Sequence, residues 1–368
     1  MKVALVHDSL IQYGGAERVL EVLCGMFPEA PIYTLFYDPK KMQGKFSDRK
    51  IITSFLDFPF VRRYHRWFIL VMPLVANMLK ISREYDLVIS DSASFAKGVS
   101  MSAGTKHIFY CYTPLRYAWD NFILDSGLQS LGVPRMVIFL GWPVWWVLQR
   151  GLRIWDKNSS KKAFQILAVS NFIAQKIQAY YGREAVVLYP PVDLKKFYYD
   201  PSIKRDKFFL IAGRLVGHKK FDLVIQAFNE LKLSLKIVGV GSEKNYLRSL
   251  VKSPLIEFVG NVSDEDLRKY YSKAQALIFP QEEDFGITAV EAIACGTPVI
   301  AYGRGGILEI VKHGVSGLFF YQQTIGSLKQ AIEQFSSYQW NYVDISATAN
   351  TFSTENFKKG ILRWVDLS

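Results

Sequence analysis

The sequence predicts an α/β protein of two domains, each built on a parallel sheet with helices covering both faces. Three observations predict it. At 368 residues the chain is too long for one ordinary core, and two domains of about 150–190 residues each are expected. Through residues 207–302, short unbroken apolar runs alternate with amphipathic segments, the pattern of strands buried on both faces and of the helices between them. The N-terminal "VALVH" passes through paired glycines into an amphipathic segment, so the first half begins in the same way.

In chain order, "MKVALVHDSL" turns polar after six residues and reads as a first strand rather than a signal peptide. "DSLIQYGGAERVLEVLCGMF" is a loop followed by a helix. Later strands of this half are "DLVIS" (86–90), "HIFYCY" (107–112), "ILAVS" (166–170) and "AVVLYP" (185–190), with aromatic-rich segments at 54–81 and 114–156. "YPPVD" (189–193) is the linker, because two prolines forbid helix and stiffen the chain. In the second half "KFFLIAG" is a strand, "FDLVIQAFNEL" a helix, "LSLKIVG" a strand, "EKNYLRSLV" a helix and "IEFVG" a strand. "DEDLRKYYSKA" (helix), "ALIFP" (strand), "GITAVEAIAC" (helix) and "PVIAY" (strand) continue it, and "FSTENFKKGILRWV" (352–365) is a last amphipathic helix. Ligands of such sheets sit beyond the carboxyl ends of the strands.

Composition narrows the class. Half the residues are hydrophobic, as in a globular chain, and the three scattered cysteines suit a reducing compartment rather than a disulfide framework or a zinc site. The net charge is +12, and residues 1–190 carry most of it, with 23 Lys and Arg against 14 Asp and Glu. That imbalance points to an anionic partner, phosphate-bearing or lipid. No RNA-binding signature, zinc finger or Lys/Arg-rich run accompanies it, so nucleic acid is not expected.

The densest chemistry lies in "QEEDFGITAVEAIACGTPVIA" (281–301). Gly296 and Pro298 end a helix of roughly 287–295. The backbone N–H groups around Phe285, Gly286, Ile287 and Thr288 are the donors of its start, a ready anion site. Glu291 stands about 6 Å further along the axis at ~1.5 Å per residue, placed to accept from the vicinal hydroxyls of a ribose whose diphosphate sits at the helix start. Glu283, before the helix, could hold a second sugar. Taken singly, Glu291 equally suits a buried acid paired with Arg or Lys, and Glu283 a solvated loop acid. In "GRLVGHKKFD" (213–222), Arg214 and Lys219 flank a loop opening onto a helix and suit a diphosphate and its growing charge; a surface ion pair with Asp222 or Glu243 is the plainer alternative.

Other features say less. Gly14-Gly15 permits close approach to a ligand or simply makes a tight turn, since the full Gly-x-Gly-x-x-Gly pattern is absent; "GVGSE" (239–243) is similar. In "SDED" (263–266), Ser263 and Asp266 fit a helix-capping box better than a metal site, and the five histidines have no ligand spacing. No metal or other cofactor is expected.

With these residues the chain resembles the retaining glycosyltransferases of family 4, over nearly its full length. The strongest segments are "GRLVGHKKFD", "FVGNVSDEDL" and "EEDFGITAVEAIACGTPVIAYGRGG", the last carrying the family's E-x7-E motif. "VHDSLIQYGGAERVL", "ISDSASFAKGV" and "YCYTPLRYAWD" narrow the resemblance to the mannosyltransferase-like branch that builds bacterial O-antigens and other surface polysaccharides. The resemblance implies a GT-B fold: two Rossmann-like domains facing across a cleft, with the C-terminal helix crossing back to the first. Residues 1–190 plus about 350–368 would bind the acceptor, and 191–349 the nucleotide sugar. It implies that Glu291 holds the ribose, Glu283 a sugar hydroxyl, Arg214 and Lys219 the diphosphate, and Val262 the base through its backbone. The backbone at Phe285, Gly286 and Gly15 would line the phosphates and sugar. Tyr112 stands where many members have a sugar-contacting His, and Lys220 where many have Gly. Asp8 would orient the acceptor hydroxyl or cap the following loop. The family shows no agreed nucleophile, and retention is read as same-face attack in which the leaving phosphate helps deprotonate the acceptor.

The function so implied is transfer of mannose from GDP-mannose to a lipid-linked saccharide, without metal, at the cytoplasmic face of the membrane. The alternatives are a UDP-sugar donor, a nucleotide-sugar epimerase, or a non-catalytic nucleotide-sugar or membrane-binding protein. For the membrane, "FPFVRRYHRWFILVMPLVANMLK" (58–80) sets Arg62, Arg63, His65, Arg66 and Trp67 before an apolar run. "VPRMVIFLGWPVWWVLQRGLRIW" (133–155) gathers Trp142, Trp145, Trp146 and Trp155 with Arg135, Arg150 and Arg153, and Gly141 and Pro143 are expected to interrupt its uncharged run. Trp beside Arg fits an interfacial segment under acidic headgroups, and the run is too short to span. The same aromatics could instead form the core of the first domain and an acceptor groove.

Overall fold

The structure, a computed structural model, describes residues 1–120 and 135–367, without the side chains of 135–144. It divides into two compact units, Met1–Tyr189 with Phe357–Ser368, and Pro190–Asn356.

The first unit holds β1 (Val3–His7), β2 (Ile32–Thr34), β3 (Ile51–Thr53), β4 (Leu87–Ser92), β5 (Lys106–Cys111), β6 (Gln165–Ala168) and β7 (Val186–Val187), in the sheet order β3-β2-β1-β4-β5-β6-β7. The pairings are parallel. β1 and β4 are buried along their whole length, as both-faced covering requires. From β1 the chain builds outward to β2 and β3, then returns to lay β4 on the other side of β1. The strand order therefore reverses between β1 and β4.

The second unit holds β8 (Phe208–Ala212), β9 (Ser234–Val238), β10 (Ile256–Gly260), β11 (Leu277–Phe279), β12 (Val299–Tyr302) and β13 (Gly317–Phe320), also parallel, in the order β10-β9-β8-β11-β12-β13. Here the order reverses between β8 and β11. The helix Phe221–Leu231 buries Phe221, Val224, Ile225 and Phe228 against this sheet, each side chain contributing about 1.5–3 kcal/mol. Phe209 packs between Phe228 and Phe335, with ring centroids 5.4 and 5.9 Å away.

The C-terminal helix Thr354–Asp366 returns to the first unit from Phe357 onward. Phe357 meets Tyr110 edge-to-face at 5.5 Å, and the Tyr110 hydroxyl donates to the Leu188 carbonyl at 3.0 Å. Gly360 lies so close to Leu188 that a Cβ there would collide with it, so the helix seats at its glycine.

Two sequence expectations are corrected, and the structure adds elements beyond them. β2, β3, β13 and the helix Ile325–Phe335 were not expected; the two three-residue strands are too short to show a period. The strand expected over 185–190 shrinks to Val186–Val187 at the sheet edge, where Pro190 and Pro191 offer no N–H to a ladder. The segment with Gly141 and Pro143 is one continuous helix, Arg135–Ser160. Its C-terminal half is held to the core by Leu152, by Trp155 at 5.5 Å from Phe95, and by Asp156, whose carboxylate accepts from the Trp119 indole (2.8 Å) and the Tyr181 hydroxyl (2.9 Å) and pairs with Lys97 (2.7 Å). Among the described residues, no helix is long and apolar enough to cross a membrane.

Candidate functional site

In the second unit the candidate residues gather on the loops that leave β8 and β11, the adjacent strands at which the order reverses. Open parallel sheets take their ligands there, because neighbouring loops run to opposite faces and leave a crevice.

After β8 come exposed Arg214, a short 3-10 turn Gly217–Lys219, and the helix Phe221–Leu231. Lys220 precedes that helix at φ 55°, a left-handed conformation natural to glycine, which explains physically why glycine suits this position. The glycines of "GVGSE" have a structural role. A Cβ on Gly239 would strike the Gly213 carbonyl, and one on Gly241 the backbone of Leu215, so the loops after β8 and β9 lie backbone against backbone.

After β11, Glu283 bonds to the Lys219 ammonium and accepts from the Gln281 amide at 3.1 Å. Lys219 and Glu283 are only 14% and 21% exposed. Lys219 thus pairs with the other predicted site residue, not with Asp222 or Glu243. The loop is braced from below, where Gly306 N–H donates to the Glu283 carbonyl at 2.8 Å and Gly305 bridges to Glu283. Any Cβ at 305 or 306 would collide with that backbone.

The helix Ile287–Ala294 begins at Gly286, whose φ is 123° and whose Cβ, if present, would lie 3.1 Å from Phe279. No side chain caps this end, leaving its N–H dipoles directed toward the crevice side. The Phe285 ring is buried against Phe352 (5.6 Å), so only its backbone is available to a ligand; Ile287 is half-buried. Glu291 is 2% exposed and accepts from the Tyr271 hydroxyl at 3.1 Å. It is therefore neither solvent-lined nor a simple surface acid. Val262 lines a cavity of about 420 Å³ with Phe208, Lys236, Lys269 and Tyr270, and that cavity shares no wall residue with the Lys219–Glu283 pair. Ser263 accepts from Asp266 N–H at 3.1 Å, the expected helix cap.

In the first unit the reversal between β1 and β4 carries a buried polar cluster that sequence reasoning missed. His7, the last residue of β1, stands opposite Asp91 of β4 in register. Its Nδ1 lies 2.9 and 3.0 Å from the two Asp91 oxygens, and its Nε2 lies 3.5 Å from Glu17, in the first turn of the helix Gly15–Met26. Burial lowers the affinity of His7 for its proton, but Asp91 and Glu17 outweigh it and raise the pKa well above the usual histidine range. The Tyr112 hydroxyl donates toward Asp91 (3.0 Å) and the Ala16 carbonyl (3.2 Å). Burial and the Asp91 charge hold that phenol well above its ordinary pKa.

The expected sugar contact at Tyr112 thus has its hydroxyl engaged within the protein. Asp8 accepts from Ser92 Oγ (2.8 Å), Ala93 N–H (2.7 Å) and Ala96 N–H (2.8 Å). It is a loop cap, and the loop is the one after β4 rather than the one after its own strand. Only a His-Asp dipeptide ending a strand signalled this cluster, and the partner strand cannot be read from spacing.

The aromatic segments divide. Phe58, Phe60, Trp67, Leu70, Leu74 and Met78 are exposed beside Arg63 and Arg66, Trp67 at 72%. Arg62 instead forms a two-pronged ion pair with Asp57 at 2.6 and 3.0 Å, and burial lowers the pKa of His65. On the long helix, Trp146 is exposed with Arg150 over its ring at 5.7 Å. Trp155 packs into the core, and Arg153 donates to the Ala118 carbonyl at 2.7 Å, so these two do not belong to an exposed face. The side chains of Arg135 and Trp142 lie outside the described residues.

Residues 13–196 match the model described as Glycosyltransferase Family 4, and residues 199–351 match Glycosyl transferases group 1. An uncharacterized glycosyltransferase of Methanocaldococcus jannaschii, MJ1607, is 33% identical over 147 residues, 37% of this chain and 37% of that one. The chain thus matches little more than a third of that relative's length. The alpha-1,3/1,6-mannosyltransferase ALG2 of Dictyostelium discoideum is 23% identical over 86% of this chain and 85% of its own. Among solved structures, Anabaena HepE in complex with UDP superposes with a TM-score of 0.71 at 17% identity, covering both chains fully. That identity speaks for the fold alone, a GT-B pair of Rossmann-like domains.

Proposed function

Since the chain belongs to glycosyltransferase family 4, we propose that it is a retaining mannosyltransferase that moves mannose from GDP-mannose to a lipid-linked saccharide. The observation that carries the reading is the Lys219–Glu283 pair at the strand reversal, beside the uncapped start of the helix that bears Glu291. A diphosphate at that helix start would draw Lys219 and Arg214 onto its oxygens, since both are cations on the facing loop. Glu283, released from Lys219, would accept from a sugar hydroxyl. Glu291, buried and already holding one donor from Tyr271, would take the ribose hydroxyls.

In the reaction the bond from the anomeric carbon to the diphosphate oxygen breaks. The acceptor oxygen bonds to that carbon from the same face, and the acceptor proton passes to the departing phosphate. Lys219 and Arg214 stabilise the charge growing on it. No carboxylate nucleophile is required on this route. Mannose is favoured by the likeness to the ALG2 mannosyltransferase over most of both chains.

The exposed apolar and arginine-bearing surface of residues 58–78 supports a location on the cytoplasmic membrane face, resting on acidic headgroups without crossing. A lipid-linked acceptor would present its reactive hydroxyl from that surface.

The test is product analysis with GDP-mannose and a panel of UDP-sugars in the presence of lipid-linked saccharide. Mannosylated lipid with retained configuration is expected from GDP-mannose. Transfer only from a UDP-sugar overturns the donor, an epimerised nucleotide sugar overturns the reaction, and no turnover with any donor leaves a binding protein.

A further inference from the structure

We propose that His7 is a positioning residue: held as an imidazolium between Asp91 and Glu17, it clamps the Gly14–Gly15 turn and the first helical turn behind it, and loss of its proton releases them. The link to catalysis rests on the reading that this turn receives the nucleotide sugar.

The argument begins with donors and acceptors. A carboxylate only accepts, and a neutral imidazole has a single N–H. His7 presents Nδ1 to Asp91 and Nε2 to Glu17, so both contacts are met only when both nitrogens carry protons. His7, Glu17 and Asp91 are 2%, 5% and 1% exposed, so water cannot substitute for the missing donor. Asp91 is fixed in the middle of the sheet by its ladder with β1 and β5. Glu17 is the element free to respond, because it rides on the first turn of the helix directly after the glycine pair. Its carboxylate lies back over Gly14, within 3.4 Å of where a Cβ would stand.

Tyr112 fastens the same turn a second time. Its hydroxyl lies between Asp91 and the Ala16 carbonyl, so the β5 end, the β4 carboxylate and the helix start share one polar knot. The other titratable groups around it keep their protons: Tyr110 beneath Tyr112, and Cys24, whose thiol burial pushes up to about 12. Burial raises the Asp91 pKa and His7 opposes that rise, while Asp8, the residue after β1, adds a further negative charge beside it. With the imidazole neutral, His7 would offer its two carboxylates a single donor; Asp91, fixed in the sheet and holding the Tyr112 hydroxyl, keeps its place, and the carboxylate on the movable turn is the one to leave.

The experiment uses the full chain labelled with 15N-histidine, His7→Gln assigning the signal. Imidazole nitrogens, hydrogen-exchange protection of residues 13–19 and affinity for GDP and UDP are followed from pH 6 to 10. His7 is expected to be doubly protonated at pH 7. Protection of 13–19, corrected for intrinsic exchange, should fall at least tenfold as that proton leaves, with nucleotide affinity, while β4 and β5 stay protected. If the proton is held past pH 10, His7→Gln should show the same two losses at pH 7. Glu17→Gln, whose amide can accept from or donate to a neutral imidazole, should flatten the pH dependence. A singly protonated His7 at pH 7, protection of 13–19 unmoved by its titration or by His7→Gln, or, where the wild type titrates below pH 10, an unchanged pH profile in Glu17→Gln overturns the proposal. If the wild type binds neither GDP nor UDP, the nucleotide reading fails, and the exchange data still decide the clamp.

Discussion

Lys219 and Glu283 are bonded to each other across the two loops that leave β8 and β11, where the strand order of the second sheet reverses. Each is mostly buried, so each is the other's counter-charge until a ligand supplies a better one. Removing one partner of such a pair strands the other in a poorly solvated place, which makes single substitutions informative.

Lys219→Ala and Arg214→Ala should each lower turnover by roughly 10²–10³, the scale for losing one donor to a developing oxyanion. Glu283→Gln should lower turnover more than nucleotide affinity. The double variant Lys219→Ala/Glu283→Gln should fall short of the product of the single losses, because the two act on one another. Steady-state kinetics and GDP titration measure both. Activity within a few-fold of wild type for either cation variant would remove that residue from the site.

Glu291→Ala should weaken donor binding by about 1.5–3 kcal/mol through loss of charge-assisted hydrogen bonds. Because Glu291 is buried against Tyr271, the same change should also lower the melting temperature. Tyr271→Phe is the control, since it removes only the hydroxyl donor and leaves the carboxylate for the ribose. Calorimetry on both variants separates the effects. Unchanged nucleotide affinity in Glu291→Ala would end its assignment to ribose.

Stability should decline on the acid side through His107. Burial, then the charges of Lys162 and Arg183, push its pKa down to about 3. Its Nε2 meets the Ser90 hydroxyl at 2.6 Å, while its buried Nδ1 has no hydrogen-bond partner. The unfolded chain takes up a proton near pH 6.5 that the fold refuses. The contribution is therefore whole above about 6.5 and is lost progressively as pH falls toward 3, costing a few kcal/mol in all. Urea unfolding at pH 4 to 7 should show the slope, and His107→Gln should flatten it. An unchanged slope in that variant would assign the acid lability elsewhere.

Binding to anionic vesicles should be salt-sensitive and should depend on Arg63, Arg66 and Trp67. Each basic residue near such a surface adds about 1 kcal/mol, screened at high salt. In flotation, Arg63→Glu/Arg66→Glu should lose most of the vesicle-bound fraction at low salt, and Trp67→Ala part of it. No wild-type flotation with anionic vesicles at low salt refutes the surface location; binding that only detergent reverses means deeper insertion.

Much of this was legible in the chain itself. The helices Phe221–Leu231 and Ile287–Ala294 and the strand Ile256–Gly260 could be drawn from periodicity and from Gly and Pro punctuation, because buried parallel strands and amphipathic helices leave local patterns. The strands β2 and β3, at three residues each, are set by pairing rather than by pattern. Glu283, Lys219 and Glu291 were nameable as a group from spacing and loop position.

Which partner each would hold was not. Spacing could not tell that Lys219 would choose Glu283 over Asp222 or Glu243, that Tyr271 would meet Glu291, or that Asp8 would cap the loop after β4. The same holds for His7, whose two carboxylates come from residues 17 and 91. Local sequence fixes which groups a turn or helix presents, since that depends on neighbours a few residues away. Strand order decides which turns face each other, and it follows from burial of the whole sheet. In this chain the chemistry was written locally, and the pairing of its charges was decided only when β4 came to lie beside β1 and β11 beside β8.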